Sequence, residues 1–272
     1  MAGDLVMSDQ EAGIVQSIAN GVLMLAFNRP ARKNAITQAM YAALADAVTT
    51  ADTDEDIRVV VLHGSEAVFT AGNNIGDFAA AVQSAGERPS ARFMKAVVNL
   101  RKPLVAAVNG PAVGIGATVL LHCDLVYAGE NATLSFPFVK LGLCPEFGSS
   151  LLLSRRVGPQ RAAQLFLLGE PCSAHQALAL GLVNEVVGPN ETLQRAMGAA
   201  NQLARSSPDA VMTTKWLMRH ACVDETLARV QLENMHFSQL LQTPPAQAAF
   251  ASFLKKANPA EPGTAIHQEV LK

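Results

Sequence analysis

The 272-residue chain is poor in charge: Asp, Glu, Lys and Arg make up 16% of it, against about a quarter in an average soluble domain. A surface so thinly charged favours burial between subunits, and hence a homo-oligomer, although an alanine-rich helical protein has the same composition. The net charge is -2 with a pI near 6.3. There is no long basic run, so the basic stripe of a nucleic-acid binder is missing. Nor is there a stretch of about 18 uncharged apolar residues to span a membrane. The opening "MAGDLVMSDQEAG" places acids ahead of any apolar run, unlike a secretory signal. The closing "EVLK" is no peroxisomal or reticulum address. Cysteines 123, 144, 172 and 222 form no CxxC pair, and no histidine stands at ligand spacing beside them. These absences predict a cytoplasmic protein with reduced thiols, no metal, no nucleic acid and no membrane partner.

What the chain does have is apolar content, 50% of its residues, enough for a sizeable core. "GIVQSIANGVLMLAFNRP" alternates around Asn20-Gly21, which predicts a hairpin with strands near Gly13–Ala19 and Val22–Asn28. "NAITQAMYAALADAVTTA" has helical spacing with Thr37 as N-cap. "IRVVVLHG", "KPLVAAVNG" and "CDLVYAG" read as buried strands separated by helical segments, which argues for α/β. Beyond Gly148 the pattern is helical apart from one short strand, "LVNEVV". This predicts a core over residues 1–200, a helical region over 201–257 and a flexible tail over 258–272.

Two glycine-rich stretches make special demands on the backbone: "VFTAGNNIGDF" (68–78) and "NGPAVGIGATVLLHCD" (109–124). The second is not a dinucleotide fingerprint, because Val119 stands where a third glycine or alanine is required, and no GK[ST] occurs. It remains a strand-to-helix turn with free N–H groups that can hold negative charge, or a turn needed only for packing. Glu146, in "LGLCPEFGSS", is equally unusual. Between Ala132 and Leu153 the only other charged side chain is Lys140. Glu146 is either a helix-entry carboxylate facing the dipole of "SSLLLSRR", or a buried acid whose raised pKa is useful.

Four segments in order resemble the crotonase, or enoyl-CoA hydratase/isomerase, superfamily: "NRPARKNAI", "FTAGNNI", "AAVNGPAVGIGATVLLHCD" and "GLVNEVV". The resemblance covers nearly the whole chain. It implies an α/β spiral of ββα units with a helical C-terminal trimerisation region, as a homotrimer or dimer of trimers. It also implies an acyl-CoA substrate, with coenzyme A as part of the thioester and no tightly bound cofactor. By position, the backbone N–H groups of Asn73 and Ile115 form the oxyanion hole. Ala71, Gly72, Asn74, Ile75, Gly114, Thr118, Pro137, Phe138 and Leu141 are expected to bind the substrate. Arg32, Lys33, Ala35, Lys255 and Lys256 fall where the CoA end binds, although solvated surface cations would look the same. Ile115, where relatives often have glycine, is expected to narrow the acyl pocket.

The family's hydratases use two glutamates, and the matching positions here are Thr118 and Phe138, neither of them an acid. Glu146 matches the single catalytic glutamate of a subset of Δ3,Δ2-enoyl-CoA isomerases. The resemblance therefore implies a proton shuttle from C2 to C4 of a 3-enoyl thioester. The alternatives are a hydratase of atypical mechanism and a non-catalytic CoA-binding or scaffold member; an RNA-associated relative is disfavoured by the missing basic patch.

Overall fold

The computed structural model describes residues 5–9, 13–74, 76–77 and 86–257, with 5–9 and 253–257 described in backbone only. Among them a seven-stranded sheet forms the frame, in the order β1 (Leu5–Asp9), β2 (Ile14–Ala19), β3 (Val22–Phe27), β4 (Val59–His63), β5 (Leu104–Val108), β7 (Leu125–Gly129), β10 (Glu185–Val187). The first three strands form an antiparallel meander, and β3 to β10 run parallel. Asn20 and Gly21, both at positive φ, make the β2–β3 turn, as the primed hairpin turn requires. Strand β1, an extra edge beside β2, has no counterpart in the sequence reading.

The unbroken apolar run of β4 follows from burial on both faces. Val60 and Leu62 point into the main core, while Val59 and Val61 meet Ala196, Ala199 and Ala200 of α7 (Thr192–Arg205). Small residues on α7 allow this close approach. On the other face α1 (Gln38–Thr53) packs on α2 (Pro89–Asn99). Thr37 caps α1 by accepting from Met40 N at 3.2 Å.

A second sheet, β6 (Pro111–Val113), β8 (Thr133–Ser135) and β9 (Cys172–Ser173), sits apart from the first. The chain between β6 and β7 is one α-helical turn, α3 (Ile115–Thr118), that tightens into 3₁₀ at Val119–His122. Helix α4 (Ser149–Val157) follows β8; α5 (Pro159–Ala163) and α6 (Ala174–Ala179) come next. Two C-terminal helices close the structure, α8 (Pro208–Leu241) and α9 (Pro244–Ala257). Helical spacing in the sequence reads as two segments, "PDAVMTTKWLMRHAC" and "VDETLARVQLENMHFSQLLQ". They form one helix of 34 residues, α8, because no glycine or proline follows Pro208 to interrupt it. Lys215 and Arg219 anchor it by ion pairs to Asp124, at 2.8 and 3.3 Å.

Among the described residues no helix is long and apolar enough to cross a membrane, and no group of His, Cys, Asp and Glu could hold a metal. The cysteines are free thiols. The tail expected over 258–272 lies outside the described residues.

Candidate active site

A cavity of about 210 Å³ opens where the two glycine-rich stretches meet the "LGLCPEFGSS" turn. Its first wall is a set of short parallel crossings. Ile36 pairs with Asn73, and Thr70 pairs with Ala112. The approach is close enough to demand glycine: Gly72 has φ +86, and a Cβ there would lie 2.7 Å from Val113 O. A Cβ on Gly116 would meet Thr70 Cγ2 at 2.4 Å. Thr70 Oγ1 ties the crossing together, donating to Asn34 O at 2.6 Å and accepting from Gly72 N at 3.0 Å.

Ala71, Gly72, Asn73 and Gly114 line this wall. Among the described residues, the backbone N–H groups of Asn73 and Ile115 have no hydrogen-bond partner. The Ile115 N–H opens α3, so it has no carbonyl one turn back. The Ile115 side chain, however, lies in the main core at 1% exposure and does not line the cavity. The expectation that it narrows the pocket is corrected: the branched side chain is spent on packing. Thr118 is likewise buried away from the cavity, its hydroxyl donating to Ile115 O at 3.4 Å.

The opposite wall is apolar. Pro137, Phe138 and Leu141 line it, together with Val113, Leu143, Phe237 of α8 and Phe250 of α9. Val113, Phe237 and Phe250 were missed in the sequence. For these two phenylalanines only the fold supplies the signal, since each lies about a hundred residues from the turn it faces.

Glu146 is the only carboxylate among the described lining residues, and it is 3% exposed. Burial, and then the charge of Glu233, push its pKa up to about 8; a hydrogen bond from Asn73 Nδ2, at 3.5 Å, opposes them. The helix-entry role considered for Glu146 belongs to a different residue. Glu233, from α8, accepts from Gly148 N at 2.5 Å and from Ser150 N at 2.9 Å, and so caps α4. Its own pKa is raised, by burial first. Behind Glu146, Phe147 takes a left-handed φ of +65, which is costly outside glycine. The ring of His122 stacks on Phe147 at 4.1 Å, and its Nε2 donates to Phe147 O at 2.8 Å. Burial lowers the His122 pKa to about 3, so it serves as a neutral donor.

The other expected residues lie around this centre. Arg32 and Lys33 are exposed, and Lys33 O accepts from Ala71 N. Ala35 is half-buried, and its carbonyl accepts from Arg29 at 2.9 Å. Asn74 Oδ1 accepts from Asp77 N at 3.3 Å, outside the cavity lining. Ile75 and the side chains of Lys255 and Lys256 lie outside the described residues.

A family model described as enoyl-CoA hydratase/isomerase matches residues 17–261. The chain belongs to the enoyl-CoA hydratase/isomerase family. It is 35% identical over 251 residues to the 2,3-dehydroadipyl-CoA hydratase of Escherichia coli K12, covering 90% of this chain and 97% of that protein. To enoyl-CoA delta isomerase 2 of Rattus norvegicus it is 35% identical over 221 residues, covering 78% of this chain and 56% of that longer protein. The crystal structure of an enoyl-CoA hydratase/isomerase from Pseudoalteromonas atlantica superposes with a TM-score of 0.86 at 38% identity, over 92% of this chain and 99% of that one. The fold is therefore the crotonase fold of that family, with the C-terminal helices present. Relatives named hydratase and relatives named isomerase both occur, so kinship gives the enzyme family and leaves the reaction to the chemistry of the site.

Proposed function

We propose that the protein converts 3-enoyl-CoA to 2-enoyl-CoA with Glu146 as the single acid–base group. The observation that carries this reading is the division of labour between two buried acids. Glu233 takes the helix cap, which leaves Glu146 facing the cavity with a pKa near 8. A base poised near neutrality can both take and return a proton.

In this mechanism the ionised Glu146 removes a proton from C2 of the 3-enoyl thioester. The C–H electron pair enters the conjugated system, and negative charge develops on the thioester oxygen. The N–H groups of Asn73 and Ile115 receive that oxygen; losing one such donor typically costs about 3–4 kcal/mol of transition-state stabilisation. The protonated Glu146 then delivers the same proton to C4, the double bond settles between C2 and C3, and the carboxylate is restored. Hydration would need a second group to handle water. Phe138 is apolar there, and the Thr118 hydroxyl turns back to its own helix.

The CoA end would lie along Arg32, Lys33 and Ala35, with Lys255 and Lys256 near its phosphates, and no cofactor beyond the substrate's own CoA is involved. Exposed Trp216, Leu217 and Met218 on α8 suit a homotrimer or dimer of trimers, working in the cytoplasm. The test is to incubate wild type and Glu146→Gln with 3-enoyl-CoA and 2-enoyl-CoA, following double-bond migration and water addition separately. Migration lost in the variant supports the reading. Water addition that survives the substitution sinks it in favour of an atypical hydratase, and CoA binding without either reaction points to a scaffold.

A further inference from the structure

Tyr41 is fully buried in the first turn of α1 and does not line the cavity. Its hydroxyl nevertheless donates to Asn73 Oδ1, and Nδ2 of the same amide donates to Glu146 Oε1 at 3.5 Å. A primary amide has a donor end and an acceptor end, and a half-turn of its terminal torsion exchanges them. With Nδ2 toward Glu146 the amide supports a carboxylate. With Oδ1 toward Glu146 it would oppose one. Nothing in Asn73 alone selects between the two.

We propose that Tyr41 is a positioning residue for the base, its hydroxyl holding the Asn73 amide with the donor end toward Glu146. The inference rests on Glu146 being the acid–base group, and Tyr41 acts on it only through Asn73. The hydroxyl is itself rigidly placed. The Tyr41 ring packs on Phe93 at 5.9 Å, Phe93 on Phe147 at 6.0 Å, and Phe147 on His122 at 4.1 Å. This row joins α1, α2, the Glu146 turn and the 3₁₀ turn, so the phenol and the carboxylate are located against the same rings.

The groups around Glu146 give the inference a measurable sign. Glu233 from α8 raises its pKa, with Arg229 of the same helix beside Glu233; Cys144 lies on its own turn, and Tyr41 belongs to α1. Asn73 Nδ2 is the one hydrogen-bond donor to the Glu146 side chain among the described residues. Releasing the amide must therefore move the titration of Glu146 to higher pH.

The experiment is Tyr41→Phe, which keeps the ring packing. The expected result is a fall in kcat of about tenfold, the scale of one hydrogen bond to a charged group. KM should stay within about twofold, and the acidic limb of the pH profile, where the base is lost by protonation, should move upward. In the Asn73→Ala background, Tyr41→Phe should cost nothing further. An unchanged pH profile for Tyr41→Phe, or losses that multiply in the double variant, overturns the inference. The readout can also be made independent of turnover: the carboxyl band of Glu146, identified by infrared difference against Glu146→Gln, is titrated in wild type and Tyr41→Phe. An upward displacement there supports Tyr41 even if double-bond migration fails. Coincident titrations refute it while leaving the reading of Glu146 intact.

Discussion

Replacing Glu146 by glutamine should stabilise the protein, and increasingly so as pH rises. In the unfolded chain the carboxyl titrates near its ordinary value of 4.5; in the fold it titrates near 8. Below 4.5 both states are protonated and the group contributes nothing to the pH dependence. Between 4.5 and 8 the unfolded chain has lost a proton that the folded chain still holds, so stability falls as pH rises, and above 8 the loss is complete. At about 1.4 kcal/mol per pH unit, the penalty reaches about 3 kcal/mol at pH 7 and about 5 kcal/mol above pH 8. Glutamine cannot ionise and can still accept from Asn73 Nδ2 through its amide oxygen. Urea unfolding of wild type and Glu146→Gln at pH 5, 7 and 9 reads the effect directly. The stability difference should be small at pH 5 and should grow in favour of the variant at each step. A difference that stays constant across the three pH values would refute the argument, because a packing change carries no such dependence.

Glu233→Gln removes the like charge beside Glu146, so the pH profile for double-bond migration should move to lower pH, by about one pH unit for a close like-charge pair. Gly72→Ala should abolish activity and lower stability by about 2 kcal/mol or more, through a left-handed φ and a clash with Val113 O; a denaturant titration with a CoA-binding assay measures both. His122 is held neutral with a pKa near 3, against 6.5 when unfolded. Its contribution is complete above 6.5 and is lost as pH falls from there towards 3. The melting temperature of His122→Gln should therefore vary less than that of wild type between pH 7 and pH 4.

Much of the frame can be read from local pattern. The Asn20-Gly21 hairpin, the Thr37 cap and the buried strands are each set by neighbours within a few residues. The strands β6, β8 and β9 are two or three residues long, too short for alternation to register. They are held by pairing across the fold, and they could not be read locally. The site divides the same way. Glu146 stands out because apolar residues surround it in the sequence. Glu233, Phe237 and Tyr41 do not, since each fits an ordinary helical pattern, and only α1 and α8 bring them to the turn. The misjudgement of Ile115 has a related cause: a helix-opening residue offers its N–H to one side while its side chain packs to the other.

Under the proposed mechanism Asn73 couples two kinds of chemistry in one residue, since it lines the cavity and its amide donates to Glu146. Side-chain replacement reaches the second far more readily than the first. Codon changes at 73, 146 or 233 alter the acid–base half, while the N–H of residue 73 survives every replacement except proline. Charge-stabilising and proton-moving functions can thus drift at different rates. A lineage starting from this chain could exchange one reaction of a thioester enolate for another while inheriting the enolate site unaltered.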